Sequence, residues 1–198
     1  MNRSEVTELH NIQAILNLPS ILTHGLLSHR RASRILHSSI AMSKVQQRRA
    51  QINVPGGRKL HEYANLYFDA RNPMMFVRKQ LHGSLCVLRI SPDVLDLPDV
   101  VVTDRNASSG YCRFAAAPNG LNIVRQDLVY AEDWTHSDQI EYRQRKSIRC
   151  AEVLIPDRVD ITFVTGIYVS STGSVQAVQA AAPSIPVTVN PYLFFQKG

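Results

Sequence analysis

Apolar residues in this chain come in short runs bounded by turn formers. Residues 9–12, 85–90 (LCVLRI), 100–103, 151–155 (AEVLI) and 161–169 (ITFVTGIYV) are continuous or alternate with period two, as strands do. An aromatic strand, Leu66-Tyr67-Phe68, follows the tight turn Val54-Pro55-Gly56-Gly57. Ile15, Leu18, Ile21 and Leu22 fall at helical spacing, with Pro19 in the first turn and Gly25 as a stop. That predicts a helix over 18–24. Arg48 and Arg49 close a short helical turn beside Gln46 and Gln47. Asn72-Pro73 is a cap plus first residue for a helix carrying Met74, Met75, Phe76 and Val77. Ser91-Pro92 opens a one- or two-turn helix, and Ser137 caps a charged helix running through Arg145. Residues 122–129 read as partly extended, 174–182 as a helix and 187–195 as a final strand. Residues 28–44 (SHRRASRILHSSIAMSK) are too polar for a core element and read as a long ordered loop or a moving lid. A second loop spans 104–118. Short strands with helices at the start and between them predict an α+β fold rather than repeated βαβ units. Neither a repeat nor a linker breaks the pattern, so residues 1–198 read as a single domain.

Composition narrows the class. The chain has 198 residues, of which 44% are hydrophobic and 19% charged, so it can bury a core and is no disordered polyelectrolyte. A net charge of +6 favours a phosphate-bearing partner, a nucleotide or a nucleic acid. Three widely spaced cysteines, Cys86, Cys112 and Cys150, fit neither a disulfide framework nor a zinc site. No apolar run approaches the roughly 20 residues that span a bilayer, and the first residues lack a signal-peptide core. These features predict a cytoplasmic protein with no metal and no membrane partner.

The Rossmann glycine fingerprint, the P-loop and the G-x-S-x-G and H-E-x-x-H motifs are all absent, so chemistry must rest on individual residues. Glu152 stands out. A carboxylate inside AEVLI is costly unless paired or used. The plain alternative is an edge-strand carboxylate, with Arg149 three residues earlier as its ion-pair partner. Arg48 and Arg49 suit anion contact or a solvated surface. His10 suits a structural donor, and Met74, Met75 and Trp134 suit packing.

The order LNLPSILTHGLLSH, QQRRAQINVPGGRKLHEYANLYFDARNPMM, TDRNAS, AEDW and RCAEVLIP resembles the DarT family of DNA ADP-ribosyltransferases, from about residue 9 to 169. The resemblance implies an ADP-ribosyltransferase-like fold: a split, mostly antiparallel β-sheet core with peripheral helices and a central NAD cleft. It implies a toxin that moves ADP-ribose from NAD to thymine or guanine in single-stranded DNA, opposed by a macrodomain antitoxin, DarG. The implied catalytic pair is Glu152 and Arg49, and the implied NAD contacts are His10, Ile12, Asn17, Arg49, Tyr67 and Met74. Arg48, Arg105, Asn106, Arg145 and Arg149 are the implied nucleic-acid contacts, with Arg113, Arg143 and Lys146 flanking the same mouth. Ala14 stands where many members have a histidine, leaving His10 as the substitute, and Arg105 replaces a common glycine. A monomer is expected, and so is a folded, inactive Glu152→Ala variant. Transfer to RNA or protein, or a non-catalytic nucleic-acid-binding module, are the alternatives.

Overall fold

The structure, a computed structural model, describes residues 1–197. In chain order the strands are β1 Leu9–Ala14, β2 Leu26–Leu27, β3 Tyr63–Tyr67, β4 Leu85–Ile90, β5 Val101–Thr103, β6 Phe114–Ala116, β7 Glu152–Pro156, β8 Arg158–Val159, β9 Val164–Val169 and β10 Val187–Val189. The helices are α1 Leu18–His24, α2 His29–Ala32, α3 Ser43–Ala50, α4 Pro73–Arg78, α5 Gln126–Val129, α6 Gln139–Ile148 and α7 Thr172–Ala181. Eight strands form one sheet in the order β10-β9-β4-β1-β3-β7-β5-β6. All neighbours are antiparallel except β10 and β9.

The sheet is split at its middle. β1 pairs with β4 at six positions, and β3 with β7 at five. Between β1 and β3 the register holds at His10 and Tyr67 alone. Away from that point the two halves diverge, which opens a cleft between them. The main core lies on one face of the sheet, where Leu9, Leu66, Leu88, Val153 and Val169 pack together with Leu18, Ile148 and Val178 from the helices. A smaller cluster of Ile12, Tyr67, Met75, Val87 and Cys150 lies on the opposite face, under the cleft.

Local signals account for most boundaries. Helix α1 stops where predicted, because Gly25 takes φ 76° and its N–H reaches Ile21 O at 2.8 Å. A Cβ at Gly25 would sit 2.4 Å from Val159 O, so the close passage of β8 also requires glycine. Asn72 caps α4, its Oδ1 accepting from the backbone N–H of Met74 and Met75.

Several expectations are corrected. Asp138 rather than Ser137 caps α6, accepting from Ile140 N and Glu141 N at 2.9 and 2.8 Å, and the helix continues to Ile148. Residues 122–129 are extended only at Val124 and Arg125, which join a helical turn ending at Ile123 to α5, while Leu121, Val124 and Val129 bury in the main core. Asp160 draws residues 161–163 into a turn by accepting from Thr162 N, so β9 begins only at Val164. Pro191 has no N–H to give a ladder, and the final strand ends at Val189. The 104–118 loop contains β6, and 28–44 contains α2 and the start of α3.

Candidate active site

A cleft of about 820 Å³ opens at the split, within the range of roughly 300–1,000 Å³ usual for cofactor and ligand sites. Its floor is the apolar cluster of Ile12, Tyr67 and Cys150, with Met74 brought in by the first turn of α4. Tyr67 is buried, and burial followed by the nearby Glu152 charge raises its pKa, so the ring stays neutral. Burial likewise pushes the Cys150 thiol up to about 12, which leaves it an inert packing group.

One wall is a run of amides. Asn11 Nδ2 donates to Asn65 O at 2.8 Å, Gln13 Nε2 to Asn11 Oδ1 at 2.8 Å, and Asn17 Nδ2 to Gln13 Oε1 at 3.0 Å. Asn17 then grips the polar segment, donating to Ser38 O at 2.9 Å and accepting from Ser38 N at 2.8 Å. The 33–42 segment lies over the cleft, pinned a second time where Arg78 Nε donates to Ile40 O at 2.8 Å.

At the end of the split is a buried ion pair. Arg49 Nη1 donates to both carboxylate oxygens of Glu152 at 2.9 Å each. Glu152 is fully buried, and Arg49 is 6% exposed. A third bond reaches Glu152 Oε1 from Ala107 N at 2.9 Å. The Glu152 backbone is fixed too, since Thr103 Oγ1 accepts from Glu152 N at 2.9 Å. Strand β7 lies between β3 and β5, so Glu152 is no edge-strand carboxylate. Arg49 lines the cleft, and the carboxylate lies just beneath it.

The other expected site residues divide clearly. Ile12, Asn17, Tyr67 and Met74 line the cleft, as do Arg48 and Asn106 at its rim. His10 does not; its ring nitrogens bind Phe68 O at 3.3 Å and Glu8 Oε1 at 2.9 Å. Arg149 is neither the partner of Glu152 nor open to phosphate. It is 1% exposed, donating to Asp69 Oδ2 at 2.8 Å and to the carbonyls of Val129 and Arg71. Arg105 folds onto Asp104 at 3.2 Å, which also holds Arg113 at 3.0 Å, and Arg145 pairs with Glu141 along α6 at 3.6 Å. The face of α6 that meets the cleft carries Arg143, Lys146 and Ser147 instead. Trp134 is a packing anchor, edge-on to Phe76 and Phe195 at 5.8 and 6.0 Å. Sequence reasoning misses Asn11, Asn65 and Tyr111 as cleft residues. The one available signal was the aromatic ring of Tyr111 inside an otherwise small and polar loop.

A divided, mostly antiparallel sheet with a buried acid–arginine pair at its parting is the fold class of the ADP-ribosyltransferase family whose model this chain matches. Residues 10–195 match the family described as "ssDNA thymidine ADP-ribosyltransferase, DarT", and the chain belongs to that family. A Thermosipho africanus protein named a DNA ADP-ribosyl transferase–DNA ADP-ribosyl glycohydrolase fusion is 31% identical over 95% of this chain and 49% of its own. The chain thus spans about half the length of that relative. The solved structure of Thermosipho africanus DarTG with ADP-ribose has a TM-score of 0.82 and 28% identity, covering 96% of this chain and 51% of that one. Thermus sp. 2.9 DarT with ADP-ribosylated ssDNA has a TM-score of 0.85 at 24% identity, covering 98% and 99% of the two chains, and shares the fold. Among the described residues no helix is long and apolar enough to cross a membrane, and no group of three or more His, Cys, Asp or Glu could hold a metal ion.

Proposed function

We propose that this chain transfers ADP-ribose from NAD to a base in single-stranded DNA and releases nicotinamide. The observation that carries the reading is the Arg49–Glu152 pair at the end of the split-sheet cleft. Breaking the bond between nicotinamide and ribose leaves positive charge on the ribose, and the bonding electron pair departs with nicotinamide. A fixed carboxylate stabilises that charge more than it stabilises the intact substrate. Glu152 has this role, and it also accepts the proton that the attacking base nitrogen gives up as it bonds to ribose C1′.

Arg49 covers the carboxylate, so the guanidinium must turn toward the pyrophosphate or the incoming base for Glu152 to act. Charge-assisted hydrogen bonds to either group replace those given up. Ile12, Tyr67 and Met74 offer an apolar seat for nicotinamide and ribose, and Asn11 and Asn17 offer amides. Arg48 and Asn106 at the rim suit the strand. His10, Arg145 and Arg149 take no direct part in this reading. Thymine is the base favoured by the family description. We place the reaction in the cytoplasm and infer a partner that reverses the mark, the DarG macrodomain. Support comes from the relative that carries a DNA ADP-ribosyl glycohydrolase in the same chain.

The test is incubation with NAD and mixed oligonucleotides, read by mass. A gain of one ADP-ribose on single-stranded DNA supports the reading. A gain on RNA or protein alone moves it to another acceptor. Binding to DNA without any adduct reduces the protein to a binding module.

A further inference from the structure

Tyr111 stands at the mouth of the cleft with 85% of its surface exposed, while the next most exposed aromatic, Tyr192, reaches only 51%. Among the described residues no aromatic or cationic side chain packs on its ring. Leaving so large an apolar face in water is costly unless something covers it.

The loop beneath it is well fixed. Tyr111 N donates to Ser109 Oγ at 3.3 Å, Cys112 N to Ser109 O at 3.1 Å, and Ser109 N to Asn106 O at 2.9 Å. The base of the loop is tied to α6 through Asn106 N and Ser147 O at 2.9 Å, and to Glu152 Oε1 through Ala107 N at 2.9 Å. A tyrosine with two side-chain torsions on a braced loop loses little entropy when it binds a flat partner. Arg143 and Lys146 line the same cleft from α6, and Arg48 from α3. Exposed aromatic and cations around one mouth make the combination that grips unpaired nucleic acid: a face for a base and charges for its backbone.

We propose that Tyr111 is a base-stacking residue for single-stranded DNA, holding a nucleotide that flanks the modified one while Arg143 and Lys146 meet its phosphates. The proposal rests on the DNA-modifying reading above. The rim position separates Tyr111 from the chemistry, because Glu152 meets the loop at its root and the ring sits at its tip. Stacking uses the face that every base has, so Tyr111 contributes affinity and registration rather than base identity.

The test compares Tyr111→Ala and Tyr111→Phe with the unaltered chain. Affinity for a labelled, mixed-sequence single-stranded DNA oligomer is read by anisotropy, and ADP-ribose binding by calorimetry. Tyr111→Ala is expected to lose roughly tenfold or more in DNA affinity, the weight of one base–aromatic stack. Tyr111→Phe keeps the ring and the affinity, and ADP-ribose binding stays unchanged in both. Unaltered DNA binding by Tyr111→Ala overturns the proposal. So does an equal loss of ADP-ribose binding, which makes Tyr111 part of the nucleotide seat. ADP-ribose transfer by the unaltered chain is measured in parallel. A missing adduct there defeats the enzymatic reading, whereas the stacking role is judged by the binding curves alone.

Discussion

Glu152→Gln tests the acid with the least disturbance to its surroundings. The buried carboxylate accepts three hydrogen bonds, two from Arg49 and one from Ala107 N, all at 2.9 Å. Bonds to a charged group contribute about 1.5–3 kcal/mol each, and neutral ones about 0.5–1.5. Glutamine keeps an acceptor for Ala107 N and one for Arg49, but turns an NH₂ toward a guanidinium that can only donate. Weakening two bonds and losing the third costs a few kcal/mol. Alanine removes all three and leaves Arg49 unpaired, at about 3–5 kcal/mol. The sequence-based expectation that Glu152→Ala leaves the fold intact therefore meets a stability loss of its own, and an inactive alanine variant is open to two readings. Urea denaturation gives the stability loss. Nicotinamide release and adduct mass, measured well below the unfolding midpoint, give the chemistry. Transfer should fall roughly 10²–10⁴-fold in a folded Gln variant, because the amide can neither offset the ribose charge nor take the base proton. A folded Gln variant that transfers at close to the ordinary rate refutes the assignment.

Arg149→Met should cost about 3–5 kcal/mol in urea denaturation, since it strands Asp69 and two carbonyls. A stable Met variant with selectively weakened DNA binding would contradict the buried-strut reading. For single-stranded DNA, Arg143→Ala should reduce the slope of log affinity against log salt by about 0.7, one phosphate contact, while Arg145→Ala leaves it alone. Equal slopes for the two variants would remove the assignment of the cleft-facing side of α6. His61 is held down to about 4 from an ordinary 6.5 by burial, then by His29 and Arg49. Its ring lies 4.1 Å from His29, and its Nε2 meets Gln46 Oε1 at 3.0 Å. The unfolded chain takes up this proton below about 6.5 and the native chain only near 4. Stability is therefore greatest above about 6.5 and declines as pH falls to about 4. Melting temperatures across that window should show a shallower decline in His61→Gln, and parallel curves would disprove the contribution.

Legibility in the sequence followed the range of the interactions. Helix α1 was readable because Pro19 and Gly25 act on their own neighbours, and α4 because Asn72 caps within three residues. Glu152 was readable because a carboxylate in an apolar strand is an anomaly at any distance. Its partner was ambiguous, since Arg149 is three residues away and Arg49 is 103. Arg149 looked like a surface cation because Asp69, which neutralises it, lies 80 residues upstream. The emphasis on Arg145 over Arg143 and Lys146 had a local cause. Ending α6 at Arg145 hid the helical face that joins 143, 146, 147 and 150. Nothing in the pattern announced that β1 and β3 touch at a single pair, because register between strands is a property of the assembled sheet.

The bond from Ala107 N to Glu152 Oε1 divides the 106–112 segment into two zones with different tolerances. Near Ala107 a change of path would drag the carboxylate with it, so drift there is punished by loss of turnover. Past Ser108 that tether is gone and Tyr111 stands open to solvent, so under the stacking proposal substitutions of Tyr111 change strand affinity without moving the carboxylate. Replacing the exposed side chain at position 111 is thus the economical route to a tighter or looser grip on an unchanged engine.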